Sequence, residues 1–182
     1  MAHHAPFDMG FVTADFEKHN IVLPHEQVIC TSLLSRMVIP ESPNHKLQTL
    51  IGELGIERGT AHRAHDDAKA CLMVGLECFR RLGEKATIAQ ALQKMGKTLK
   101  WENYRVMQSG NSLIEKVVEA TSKKLAMDIV YEGGSSKGET RRITPVGIVR
   151  NPDGDYVMAM CHRDAAQKRF YLAKIKDATV AY

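Results

Sequence analysis

The chain has 182 residues, 44% of them hydrophobic and 25% charged, a balance that supports a packed core and excludes disorder as the default state. No apolar run approaches the ~20 residues of a membrane helix, and the opening MAHHAPFDMG has neither the basic start nor the apolar core of a signal peptide. The expected setting is the cytoplasm, with no membrane partner. The net charge of +4 is uneven: residues 1–83 carry 8 Lys and Arg against 10 Asp and Glu, and residues 84–182 carry 17 against 11. A basic second half tolerates or attracts polyanions such as nucleic acid. Cys30, Cys71, Cys78 and Cys161 form no CxxC pair, so buried free thiols are expected and a structural zinc site is not.

In chain order, FDMGFVTADFEKHN sets Phe7, Phe11, Val12 and Phe16 on one face of a helix that Asn20 can end. NIVLPHEQVICT offers short apolar pieces, Ile21 to Leu23 and Val28 to Ile29, interrupted by Pro24. TSLLSRMVIP predicts a short helix with Thr31 as N-cap and Pro40 beyond its end. SPNHKLQTLIGELGI repeats Leu47, Leu50, Ile51 and Leu54 at helical spacing, with Gly55 suited to the position after the cap. DAKACLMVGLECFRRLG predicts a helix with a stripe of Ala68, Cys71, Leu72, Gly75, Leu76 and Phe79, and with Arg80 and Arg81 at its C-terminal end, as the macrodipole favours. TIAQALQKMG is a further helix ending at Gly96. KTLKWENYRVMQSGNS follows as a basic connector with the only tryptophan, Trp101, and Tyr104; stacking on nucleic acid and fastening the linker to a domain are both open to these aromatics.

From residue 111 the pattern changes. NSLIEKVVEATSKK is an amphipathic helix capped by Asn111 or Ser112, with Leu113, Val117, Val118 and Thr121 on one face. LAMDIVYE, ETRRITPVGIVR, DYVMAMCHR, KRFYLAKI and KDATVAY then predict five short strands, separated by GGSSKG, NPDG, DAAQ and a last short link, which suggests a small closed β-barrel. The expected class is α+β. A mostly helical segment spans 1–83, a connector 84–110 and a five-stranded barrel domain 111–182.

GTAHRAHDDAKA places two histidines and two aspartates between His62 and Asp67. Aspartate is a hard oxygen ligand, and histidine titrates near neutrality. An acidic residue at a helix start is also stabilised by the dipole without any metal. Asp8 stands at a second helix start. Together HHAPFDMGF and AHRAHDDAKA resemble the second and third motifs of the DEDDh family of 3′–5′ exonucleases, in order and with a matching connection. The resemblance implies a truncated RNase H-like segment, with Asp8 and Asp67 as ligands of Mg²⁺ or Mn²⁺ and His62 as the general base on water. His65 and Asp66 fall at variable positions. Two divalent ions about 3.5–4 Å apart suit phosphodiester hydrolysis, and a histidine near its ordinary value suits water activation.

The family's first motif, Asp-x-Glu on a preceding strand, has no counterpart. Asp15-Phe16-Glu17 has the spacing but lies on the helix after Asp8. His4 stands where the family has Asn. The expectation is little or no nuclease activity, with no cofactor if inactive, and helices whose apolar faces lack the sheet they would cover.

Residues 114–182 resemble a WYL domain, an Sm-like or SH3-like barrel of bacterial regulators, through Tyr131, Arg141 and Pro145; its Trp-Tyr-Leu is Asp155-Tyr156-Val157 here. The resemblance implies binding of single-stranded nucleic acid or a nucleotide. Arg141, Arg163 and Arg169 are candidate phosphate contacts and Tyr156 a candidate stacking face. Strand alternation puts Phe170 and Leu172 on one face and Arg169 and Tyr171 on the other. The functional expectation is a nucleic-acid protein of bacterial type, an exonuclease-like segment joined to a binding barrel. Two alternatives stand beside it. One is an exonuclease completed by upstream sequence or a partner chain. The other is a regulatory sensor whose first half is a scaffold for a homo-oligomer.

Overall fold

Helical spacing of apolar residues organises the first half of the chain. The computed structural model describes residues 1–57, 63–107, 109–134 and 137–182. They divide into two units, Met1–Met9 with Pro24–Trp101, and Gly10–Leu23 with Glu102–Tyr182. The class is α+β.

In the first unit, helices α2 (Thr31–Val38), α3 (Leu47–Glu53), α4 (Ala64–Leu82) and α5 (Ile88–Met95) follow the start of α1 (Ala5–Lys18). Their core is Leu34, Ile39, Leu50, Val74, Cys78 and Ala91. The ends obey local chemistry. Thr87 and Gln90 form a reciprocal capping box on α5, and Gly96 closes it in the left-handed region. Gly55 takes φ 62° just after α3, and the Ile56 N–H reaches back to the Ile51 carbonyl. Ala2 makes an isolated parallel bridge with Cys30, its N–H donating to the Ile29 carbonyl and its carbonyl accepting from Thr31.

Three expectations need correction. Thr31 is the first helical residue of α2 and Cys30 the N-cap, because the Thr31 hydroxyl lies 2.9 Å from the His3 ring instead of capping. On α4 the buried stripe is Ala70, Cys71, Val74, Gly75 and Cys78, since α2 and α3 pack on that side. Leu72 and Leu76 point outward, 49% and 55% exposed. On α1 the buried positions are Ala5, Pro6, Met9, Thr13 and Glu17, whereas Phe7 and Phe11 are 50% and 66% exposed.

In the second unit, Asn111 caps α6 (Ser112–Lys123), accepting from the Leu113 and Ile114 N–H groups. Strands β1 (Ala126–Tyr131), β2 (Thr140–Val149), β3 (Tyr156–Cys161), β4 (Ala166–Tyr171) and β5 (Ile175–Ala181) form one antiparallel sheet in the order β4-β3-β2-β1-β5. The sheet must curl. Four flat inter-strand steps would separate its edges by about 19 Å, yet the edge strands are joined by the 3₁₀ turn Leu172–Lys174, and four residues reach at most about 14 Å. Register shifts at Pro145/Gly147 and Val130/Tyr131 supply the bends, and the first accommodates Pro145 in a central strand. Inside lie Met127, Ile129, Ile143, Val157, Ala159, Cys161 and Phe170, closed by Val117 and Ala120 of α6. All four cysteines are free and buried. Among the described residues no helix is long and apolar enough to cross a membrane.

Candidate functional site

Asp8 lies exposed in the first turn of α1, and Asp67 lies half-buried in the first turn of α4, its N–H donating to the Arg63 carbonyl. Both carboxylates therefore sit at helix starts that stabilise their charge. Cys71, one turn beyond Asp67, has its thiol pushed up mainly by burial, against a hydrogen bond from Thr31, and the Asp8 charge adds to the rise. His65 Nδ1 and Asp66 Oδ1 form an exposed pair at 3.2 Å on the same turn. His62 lies outside the described residues. Among the described residues no three His, Cys, Asp or Glu side chains converge on a point where a metal ion would sit. Two carboxylates on two helices do not fit a two-ion centre, which needs more oxygen donors than they supply.

The barrel candidates are dispersed. Arg141 points into the barrel, 6% exposed; its Nη2 donates to the Gly133 carbonyl at 3.2 Å and its guanidinium lies 5.7 Å from the Tyr131 ring centroid. Arg163 sits beyond β3, with Nη1 3.0 Å from Glu139 Oε2. Arg169 and Tyr156 do come together. They lie on the outer face of β4 and β3, the guanidinium 5.2 Å from the Tyr156 centroid. That spacing is a cation–π contact. Tyr156 is 8% exposed because Tyr171 covers it edge-on, centroids 5.9 Å apart. Tyr171 is 38% exposed, and Lys174 Nζ is 5.8 Å from its ring. Gly154 lies beneath the Tyr171 ring: a Cβ there would come within 3.5 Å of it. The result is a row of Arg169, Tyr156, Tyr171 and Lys174, two cations flanking two rings.

Sequence reasoning missed Lys174. Its signal was the spacing Tyr171-x-x-Lys174, since side chains three apart eclipse on a 3₁₀ turn. Phe170 is 1% exposed and meets Tyr131 edge-on at 5.1 Å, while the Tyr131 hydroxyl accepts from the Tyr171 N–H at 3.3 Å. Core and outer row are thus joined through adjacent residues of β4.

The family model for the exonuclease domain matches residues 1–74, and the model for the WYL domain matches residues 112–180. Curated relatives include a PolC-type DNA polymerase III of Oceanobacillus iheyensis, 39% identical over 85 residues, which are 47% of this chain and 6% of that protein. Another is the 3′–5′ exonuclease DinG of Bacillus subtilis, 37% identical over 82 residues, 45% of this chain and 9% of that protein. The chain therefore spans less than a tenth of either relative. Proteasome accessory factor B/C of Arthrobacter aurescens aligns over 74% of this chain and 19% of its own, at 17% identity and a TM-score of 0.43.

Proposed function

We propose that this pairing of an exonuclease-family segment with a WYL domain is a nucleic-acid-binding protein. Its barrel takes single-stranded nucleic acid or a nucleotide, and its nuclease segment has little or no activity in this chain. The observation that carries the reading is the outer row of Arg169, Tyr156, Tyr171 and Lys174. Cations flanking a pair of rings whose outer member, Tyr171, is partly exposed can hold phosphates on either side of a base stacked on it. Arg163 stands apart and is engaged by Glu139, and Arg141 is inward, so neither is a leading contact.

Anisotropy of labelled single-stranded DNA with the full chain, at several salt concentrations, tests this. Arg169→Met is expected to weaken binding by about 1–3 kcal/mol and to reduce the salt slope by about one. Tyr171→Ala is expected to lose a similar amount through stacking. Wild-type affinity in both variants would sink the proposal.

Asp8 and Asp67 are the residues that would hold Mg²⁺ or Mn²⁺, and two carboxylates do not complete a two-ion centre for phosphodiester hydrolysis. Release of nucleotides from 3′-labelled DNA with Mn²⁺ is expected from neither the wild type nor Asp67→Ala. Release by the wild type that Asp67→Ala abolishes would overturn the inactive reading, and release that appears only when a partner chain or upstream sequence is supplied would favour the second reading, an exonuclease completed by one of them. That reading draws on the exposed apolar side chains of the two helices that carry the aspartates, Phe7 on α1 and Leu72, Met73 and Leu76 on α4. A regulatory sensor with an oligomeric scaffold would instead bind no DNA and change mass with concentration.

A further inference from the structure

The segment before α1 is held by the ring of His3. Its Nε2 lies 3.1 Å from the His45 carbonyl, which can only accept, so in the neutral ring Nε2 carries the hydrogen and Nδ1 is the acceptor. Nδ1 lies 2.9 Å from the Thr31 hydroxyl, which therefore donates to it. The same hydroxyl is 3.5 Å from Cys71 Sγ and 3.4 Å from the Ala2 carbonyl. One half-buried imidazole thus ties residues 1–4 to the start of α2 and to the loop at His45, beside the two backbone bonds of Ala2. His45 is itself seated, its Nδ1 3.1 Å from the Ser35 hydroxyl.

We propose that His3 is a pH-operated clasp that fixes the start of α1, and with it Asp8, when neutral and releases residues 1–4 when protonated. A proton on Nδ1 faces the Thr31 hydrogen, so the hydroxyl must turn to the longer bond with the Ala2 carbonyl. The nearby titratable groups are of like sign: His4 on the same segment and His45 on the facing loop, with Arg36 of α2 acting on His45. From α4 the group behind Thr31 is the Cys71 thiol, on which the Met1 amino group and Asp8 act. Burial is the largest influence on His3 and holds its value below the ordinary 6.5. The released segment then binds protons more readily than the docked one. Docking is therefore complete above about pH 6.5 and weakens as the pH falls below it. His4 sharpens the release, since its φ of 62° is a left-handed backbone that a non-glycine residue holds only when its surroundings impose it.

The test uses the full chain. Imidazole ¹⁵N shifts and hydrogen exchange of the Ala2 and Thr31 amides are followed from pH 8 to pH 5, with exchange corrected for intrinsic rates. The expected result is a His3 midpoint below the ordinary value and a loss of protection at both amides that tracks it. His3→Gln should abolish the pH dependence, and His45→Gln should keep it with the midpoint moved up, because His3 bonds the His45 carbonyl while the His45 ring acts on it only as a like charge. A His3 midpoint at or above the ordinary value, flat protection, or pH dependence that persists in His3→Gln overturns the proposal. Should His3→Gln fail to fold, the wild-type titration and exchange decide alone.

Discussion

At the scale of single residues, charge and space separate structural from binding roles. Arg141 is inward, with a donor on the Gly133 carbonyl and its plane near Tyr131. Arg141→Met is expected to lower unfolding stability by about 1–3 kcal/mol, because it leaves a buried carbonyl without its donor. DNA affinity in that variant should stay within twofold, measured by denaturant titration and anisotropy together. Gly133 is a glycine for reasons of space, not of φ: a Cβ there would come within 2.4 Å of the Tyr131 ring. That ring cannot yield freely, being held by Phe170, Arg141 and the Tyr171 N–H. Gly133→Ala is expected to cost about 1–3 kcal/mol through overpacking, read as a lower denaturant midpoint. Glu77 accepts from Arg80 at 2.7 Å and from Arg81 at 2.8 Å, which holds its carboxyl down at about 2 against an ordinary 4.5. Its contribution is present above pH 4.5 and is lost as the pH falls from there towards 2, because the unfolded chain takes up the proton first. Solvent screens the pair, so the effect is small. In Glu77→Gln the acid limb of the stability curve should flatten across that window.

At the scale of elements, Asn111→Ala is expected to cost about 0.5–2 kcal/mol, since two N–H groups of α6 lose their acceptor and α6 closes the barrel core. Thermal unfolding with circular dichroism reads it. The cap of α6 was legible in the sequence to within Asn111 or Ser112, and so were the five strands: turn-rich stretches such as GGSSKG and NPDG separate runs that alternate in polarity, and alternation names the inward set. The rotation of α1 and α4 was not legible. Their large apolar residues suggested the buried stripe, but Ala5, Pro6, Met9, Thr13 and Glu17 are what α1 buries, and Val74 with Cys78 is what α4 sends into the core. Spacing cannot say which face wins when a helix is apolar on two sides. Asp8 and Asp67 were readable as a motif, and the structure sets each in the first turn of its own helix. The row from Arg169 to Lys174 was half readable, because strand alternation places Arg169 and Tyr171 outward while only the 3₁₀ turn brings Lys174 back over Tyr171.

At the scale of the molecule, outward Leu72, Met73 and Leu76 form a continuous apolar strip on α4. Such a strip favours association. Sedimentation velocity is expected to show mass rising with concentration, and Leu72→Lys with Leu76→Lys is expected to suppress the rise. The division into units also cuts across the family matches, because residues 10–23 are grouped with 102–182 while the exonuclease match runs through 1–74. Glu17 holds that grouping together. Its Oε2 accepts from the N–H groups of Val106 and Met107, each at 3.1 Å, and Arg105 lies 3.8 Å away. Glu17 and Val106 are 89 residues apart in sequence. On a ribosome adding about 5–20 residues each second, a nascent Glu17 therefore spends about 4–18 s without the amides that will receive it. During that interval the second half of α1 lacks the amide contacts that seat it beside residues 105–107.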